Sequence, residues 1–380
     1  MSARISKIRM GMLGGGHTSF IGELHRIASY MHDQFEFVGG VFGSDFDSSI
    51  DFAKSKGLDL SRVYSSLENF IKEENNLDQD QRMEVVVVVT PNSLHYSMAK
   101  SLLKEGFHVI CEKPMTMNSK EALELEKLVN QTGKTFALTH TYTGYPMVRQ
   151  MKNMIAQNVI GRVHKVDAAY YQGWINPVVH DPSKRKTVWR LNPEKTGISS
   201  CLGDIGVHAF NMIEYTTGLT VKKVLADTNT LYEDNPLDVD ATVLLRLDNG
   251  VRGIVRSSQI ATGEENALKI AVYGDKGGLK WEQENPNYLY HLTDDQPFHV
   301  LKPGHAYNSD FAKESTKIAP GHPEGIFDSM ANIYKGAAKS IKGEESPAGS
   351  FPSVRDGVRG MQFIEASIKS SREGNVWITF

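Results

Sequence analysis

The chain has 380 residues, of which 40% are hydrophobic and 23% charged, with a formal net charge of −3. That length exceeds one ordinary core and favours two domains, and the near-neutral balance leaves no footprint for nucleic acid or a membrane surface. Cys111 and Cys201 are the only cysteines, too few for a disulfide framework and without metal-ligand spacing, so no metal is expected and a reducing cytoplasm is the default. No run reaches the roughly 20 apolar residues of a membrane span, and the amino terminus lacks the apolar segment of a signal peptide.

Residues 7–13 read as a short apolar strand running into Gly14-Gly15-Gly16-His17-Thr18-Ser19, then Phe20 and Ile21; Leu24, Ile27, Ala28 and Met31 follow at helical spacing. Strand, glycine turn and helix in that order are the context of a dinucleotide fingerprint. Gly14 and Gly16 let the backbone approach a pyrophosphate, and the helix amino terminus offers it N–H groups. His17, Ser19 and Phe20 join them as cofactor candidates, Ser19 standing where a third small residue belongs. The second strand, Phe35 to Phe42, ends at Gly43-Ser44-Asp45 with no Arg or Lys before Lys54. A 2′-phosphate would want a cation beside the ribose, so the strand end at Ser44 points to NAD, with NADP as the alternative.

Glu84 introduces Val85–Val89, a β-branched run suited to a strand buried on both faces. It ends in Thr90-Pro91-Asn92, with His95 on the next helix, and Thr90, Asn92 and His95 are candidates for the nicotinamide ribose. A further strand, Phe107 to Cys111, runs into Glu112-Lys113-Pro114. Ligands bind outside the carboxyl ends of strands in open parallel sheets, so Lys113 is a catalytic and cofactor-binding candidate and Glu112 a cofactor-binding one. A helix opened by Asn118-Ser119-Lys120-Glu121 and a strand at Thr135–Thr139 complete an alternating series, a doubly wound nucleotide-binding domain over residues 1–150.

Residues 151–380 are strand-rich, with candidates at Val163–Tyr171, Lys222–Leu231, Ala241–Leu247, Val251–Gln259, Leu268–Tyr273 and Leu279–Glu282. They predict an α/β domain with a large, mostly antiparallel open sheet, whose broad face suits a homodimer or homotetramer, and final helices near 326–341 and 354–371 that return over both domains. Gly203-Asp204-Ile-Gly-Val-His208 opens a helix that continues to Gly218. Asp204 and His208 are four apart and so share a face. Histidine titrates near neutrality, which suits taking a proton from an alcohol as its hydride leaves, and a lysine ammonium can stabilise the developing alkoxide.

Gly14-Gly15-Gly16, Thr90-Pro91-Asn92, Glu112-Lys113-Pro114 and Asp204-Ile-Gly-Val-His208, in this order over nearly the whole length, resemble the Gfo/Idh/MocA oxidoreductase family. The resemblance implies a Rossmann domain joined to an α/β domain, a nicotinamide cofactor, redox chemistry at a sugar or cyclitol carbinol, and Lys113, Asp204 and His208 as catalytic residues. Two departures stand out: no arginine follows the fifth strand in His140-Thr-Tyr-Thr-Gly-Tyr-Pro146, and Asn211 stands in place of a common aspartate.

A loop before the catalytic helix gathers Trp174, Lys184, Arg185, Trp189 and Arg190. Aromatic faces and cations together suit a pyranose with an anionic group, so these residues, with Asp204 and His208, are the substrate candidates. The chain also resembles the family's redox-neutral branch, which hydrolyses sulfoquinovosides with NAD. There, oxidation at C3 acidifies the C2 proton, the C1 substituent is eliminated, water adds and the hydride returns. Tyr142 is the catalytic candidate for the extra proton transfers, beside Tyr145 and His140. The expected function is redox-neutral hydrolysis of an anionic glycoside, with net oxidation by a sugar or cyclitol dehydrogenase as the alternative and a non-catalytic cofactor-binding regulator third.

Overall fold

Five short apolar runs become the strands of one parallel sheet. They are β1 (Ile8–Gly14), β2 (Phe35–Val41), β3 (Val85–Val89), β4 (His108–Cys111) and β5 (Phe136–Leu138), in the order β2-β1-β3-β4-β5 with every neighbour parallel. The structure, a computed structural model, describes residues 7–380. Val85 to Val88 are each 0% exposed, as a strand covered on both faces requires. The strand order reverses between β1 and β3, and such a switch point is where open α/β sheets bind ligands. The glycine turn lies there. A Cβ on Gly14 (φ +84°) would stand 2.2 Å from the Val89 carbonyl oxygen, and one on Gly16 2.5 Å from that of Phe42, so the turn tolerates no side chains at these positions.

Helix α1 (Phe20–Tyr30) follows, and Ser19 is its cap: Ser19 Oγ accepts from the Gly22 N–H at 3.0 Å. The third close approach of the fingerprint falls instead on Gly22, whose added Cβ would lie 2.5 Å from Gly15 Cα. The inward face of α1 also differs from the apolar stripe read in the sequence. Ile27 and Met31 are 38% and 39% exposed, whereas His25, Arg26 and Ser29 are buried with Leu24 and Ala28. The three polar residues go inward because each finds a partner there, Ser29 Oγ donating to the Arg26 carbonyl at 2.7 Å. Arg26 Nη1 donates to the Gly15 carbonyl at 2.6 Å with its guanidinium over the Phe52 ring, and His25 is described below. Asp45, at the end of the second strand, is occupied as the cap of α2 (Phe46–Lys56); α3 (Leu67–Asn75), α4 (Asn92–Lys104) and α5 (Ser119–Thr132) complete the alternation.

The contacts divide the chain into two interleaved units. One holds the residues through Thr116, Lys120–Thr139 and Met330–Gly357; the other holds Met117–Ser119, His140–Ser329 and Val358–Phe380. The late segment joins the first unit through hydrogen bonds: the Leu138 N–H donates to the Pro352 carbonyl at 2.8 Å, and Ser353 bridges Ala137.

In the second unit, α6 (Pro146–Ala156) precedes a nine-stranded sheet. Its strands are β6 (Val163–Tyr171), β7 (Val221–Asn229), β8 (Asp240–Leu247), β9 (Arg252–Ser258), β10 (Ala267–Gly274), β11 (Gly278–Glu282), β12 (Leu289–Leu292), β13 (His299–Leu301) and β14 (Ile378–Thr379), in the order β13-β12-β11-β10-β6-β9-β8-β7-β14. Only β6 and β9 pair in parallel; the remaining neighbours are antiparallel. The helix Val207–Thr217 packs on β6, β9 and β10. Strands β12, β13 and β14 have two to four residues, too short to show a period of two in the sequence. Among the described residues no helix is long and apolar enough to cross a membrane.

Candidate functional site

In the first unit the site is built on the turn after β4. The Lys113–Pro114 peptide bond is cis, and the Lys113 N–H lies 3.2 Å from Glu112 Oε2. Glu112 Oε1 accepts from Thr139 Oγ1 at 2.6 Å and lies 3.0 Å from His25 Nε2, while His25 Nδ1 lies 2.7 Å from the Tyr334 hydroxyl. Burial alone would raise the Glu112 pKa; the hydrogen bond and charge of His25, the Lys113 charge and the Thr139 hydrogen bond outweigh it and hold the carboxyl at about 2. An ionised carboxylate only accepts, so His25 Nε2 carries a proton. Burial pushes the Tyr334 phenol well above its ordinary range, so it stays neutral, with its hydroxyl facing Nδ1. Neither residue was a sequence candidate. The signal for His25 was its place between Leu24 and Ala28 on the inward side of α1; Tyr334 carried none.

His95 is wholly buried, with Nδ1 2.9 Å from the Pro114 carbonyl and Nε2 2.9 Å from that of Thr90. Both ring nitrogens are therefore directed at backbone oxygens, and burial lowers its pKa. His95 stands between the end of β3 and the turn after β4. Asn92 is buried at the start of α4, and Thr90 Oγ1 lies 3.8 Å from Met98 Sδ. His17, Phe20 and Ser44 are exposed, the His17 ring standing edge-on to Phe52. Gly14, Gly16 and Ser19 form the turn and cap already described.

In the second unit the predicted regular helix through Asp204 is not regular. Leu202–Gly206 is a π-helical turn that passes into the α-helix Val207–Thr217, which Gly218 closes in the left-handed conformation. Such turns re-aim side chains and recur at functional sites, so Asp204 and His208 do not have simple α-helical spacing. Asp238 holds the start of this segment: its buried carboxylate accepts from the Ser200 and Leu202 N–H groups at 2.9 and 2.8 Å. Asp204 Oδ2 accepts from Gln259 Nε2 at 2.9 Å and forms an ion pair with Arg190 Nε at 3.1 Å. The Arg190 guanidinium in turn lies over Trp189 and Trp174, 4.5 and 5.6 Å from their ring centroids.

The structure thus brings Trp174, Trp189, Arg190 and Asp204 together, but not Arg185 or Lys184. Arg185 is buried, donates from Nη1 to the Val179 carbonyl at 2.6 Å and pairs with Asp234. Exposed Lys184 pairs with Asp181 at 3.7 Å. Each of the three cations chosen for an anionic substrate faces a carboxylate of this chain. Arg185 belongs to the support of the loop, beside a small core of Ile175, Val179, Leu191 and Val239. Arg185→Ala should therefore lower unfolding stability by about 1–3 kcal/mol in urea titrations and leave the preference between neutral and anionic substrates unchanged. Selective loss of an anionic substrate would reinstate the anion site.

His208 is 6% exposed and His140 1%. Their Nδ1 atoms lie 3.3 Å apart with rings nearly perpendicular, and the Tyr142 ring stands edge-on to His208 at 4.8 Å. The Tyr142 and Tyr170 hydroxyls are 2.5 Å apart, Tyr170 donates to Asn266 Oδ1, and Asn266 Nδ2 donates back to Tyr142 at 3.3 Å. Burial raises the Tyr170 pKa well above its ordinary value, so that phenol stays neutral. Gln172 Nε2 donates to Asn266 Oδ1 and Trp174 Nε1 to Gln172 Oε1, each at 3.0 Å, which joins Tyr142 to the Trp174 loop. Tyr170, Asn266 and Gln259 were not sequence candidates.

Residues 8–140 match the oxidoreductase family with an NAD-binding Rossmann fold, and residues 148–280 match the GFO/IDH/MocA C-terminal domain. The chain is 31% identical over 386 residues to the uncharacterized oxidoreductase YfiI of Bacillus subtilis, covering 99% of this chain and 98% of that one. It is 25% identical over 410 residues to levoglucosan dehydrogenase of Pseudarthrobacter phenanthrenivorans, covering 98% of both. Among solved structures, an inositol dehydrogenase homolog complexed with NAD+ from Azotobacter vinelandii superposes with a TM-score of 0.93 at 30% identity, covering 99% of this chain and 98% of that one. With these matches over both units and the motifs placed as described, the chain belongs to the Gfo/Idh/MocA oxidoreductase family.

Proposed function

We propose that this protein is an NAD-dependent dehydrogenase that oxidises a ring carbinol of an uncharged sugar or cyclitol. The observation that carries the reading is the glycine turn at the β1/β3 switch point, with Lys113 at the carboxyl end of β4 in the same sheet. Gly14, Gly16 and the amino terminus of α1 would hold the pyrophosphate, since they form a backbone cradle that Cβ atoms would fill. NAD would supply the hydride acceptor. The Lys113 ammonium donates a hydrogen bond to the carbinol oxygen and stabilises the charge that develops there. His208 takes the carbinol proton, and Asp204, held by Gln259 and Arg190, orients the substrate. The balanced loop cations favour an uncharged substrate. The levoglucosan and inositol relatives are dehydrogenases, which favours net oxidation over the redox-neutral hydrolysis and sulfonated substrate first expected.

The test is incubation with NAD and a panel of levoglucosan, myo-inositol, neutral aryl pyranosides and an aryl sulfoquinovoside, following NADH and released phenol together. NADH formed in step with substrate loss, without phenol, is expected. Phenol without net NADH would return the hydrolytic reading. Gly22→Ala should weaken NAD binding at least ~10-fold by calorimetry, because the new Cβ pushes α1 off the turn; unchanged affinity would remove the turn from the cofactor site. For assembly, the outward row Leu225, Leu244 and Ile254, adjacent in register across β7, β8 and β9, is the face we assign to pairing of copies.

A further inference from the structure

We infer that His140 is the second member of a two-histidine proton relay, receiving from His208 the proton that His208 takes from the substrate carbinol. The inference rests on the reading of His208 as the base and extends it to a residue that no motif assigns. Two ring nitrogens 3.3 Å apart make a stable contact only when one bears a hydrogen and the other a lone pair; two N–H groups or two lone pairs repel. The pair therefore holds one proton between its Nδ1 atoms. Both rings are almost wholly buried, so this proton is not traded freely with bulk water.

Each position is fixed by its surroundings. His140 follows β5, and its carbonyl accepts from the Thr143 N–H and Thr143 Oγ1 at 3.2 and 3.0 Å. His208 is on the first turn of its helix with the Tyr142 ring against it and the Tyr170 ring 6.1 Å away. Tyr142 and Tyr170 are titratable groups that face the pair; from α6, Arg149 is directed at Ser315 and Lys152 at the Tyr215 carbonyl.

In the resting pair His208 carries its proton on Nδ1 and its lone pair on Nε2. Bound NAD would accept the C–H electron pair as hydride; the carbinol O–H bond breaks and its proton joins His208 Nε2. The His208 Nδ1 proton then passes to His140 Nδ1. The carbinol becomes a carbonyl, His208 is neutral again in its other tautomer, and the positive charge rests on His140, one residue further from the product. Reduction runs the same transfers backwards.

The test uses the full-length protein with 15N-labelled histidine, without substrate, following both rings through a pH titration by NMR; His140→Gln and His208→Gln assign the signals. The two histidines should titrate in two steps at least ~1 pH unit apart, and in His140→Gln the His208 midpoint should move by a similar amount. In turnover, His140→Gln should lower kcat roughly 30- to 100-fold and shift its pH profile, with substrate KM and NAD Kd within about threefold. An unmoved His208 midpoint, or a kcat within about threefold of wild type, would overturn the relay. If neither variant folds, the wild-type titration still decides: two independent single-step curves sink the idea. Coupled titration in a protein without dehydrogenase activity would instead support the shared proton and sink the dehydrogenase reading.

Discussion

Lys113→Ala is expected to lower kcat by roughly 10³-fold, about 4 kcal/mol of transition-state stabilisation, while NAD affinity stays within about threefold. The reasoning is local. Lys113 stands on the turn after β4, whose geometry is held by groups other than its own ammonium: the Glu112 carboxylate on its N–H, and the Pro114 carbonyl on His95. Removing the ammonium leaves that frame in place and takes away the one cation of the turn. Single-turnover NADH formation alongside calorimetric NAD titration separates the two effects. Turnover within tenfold of wild type would take Lys113 out of the chemistry; a parallel collapse of NAD binding would make it a cofactor residue.

His25→Ala should produce the largest change in stability, on the order of 3 kcal/mol at pH 7, because it leaves the buried Glu112 charge without its main donor. The same contact predicts an acid limb. The folded-state pKa of Glu112, about 2, lies below its ordinary value of 4.5. The stability it contributes is therefore fully present above pH 4.5 and is lost as pH falls from 4.5 towards 2, a span worth on the order of 3 kcal/mol. Urea unfolding of wild type at stepped pH should show that decline, and His25→Ala should flatten it. A loss below about 1 kcal/mol at pH 7, or an acid slope identical to wild type, would show that Glu112 does not depend on His25.

What the sequence made legible was local. A glycine turn between strand and helix, a valine run and a lysine at a strand end each carry their signal within about ten residues, and all three stand where the reading placed them. The Asp204–His208 spacing was equally local but misread in detail, because nothing in Gly203 to Gly206 distinguishes a π-turn from a regular one. What stayed hidden depends on distant partners. His25 is polar on an apolar helix face, and only Tyr334 and Glu112 explain why it turns inward. Arg185 read as a ligand for an anion until Asp234 was seen to meet it. The Tyr142–Tyr170–Asn266 ring joins three segments that share no motif.

The interleaving of the two units bears on how the chain matures during synthesis. The sheet carrying the glycine turn is complete at Leu138, yet Met330–Gly357 belongs to the same unit and brings Tyr334 to His25 and Pro352 to Leu138. The roughly 190 residues between them take about 10–40 s to translate at ordinary rates. Throughout that interval the nascent nucleotide-binding sheet waits with its fifth strand and its buried histidine unclosed. The first unit to begin emerging from the ribosome is finished only at Gly357, shortly before the chain ends, and a fragment ending near residue 140 would stay in that unfinished state.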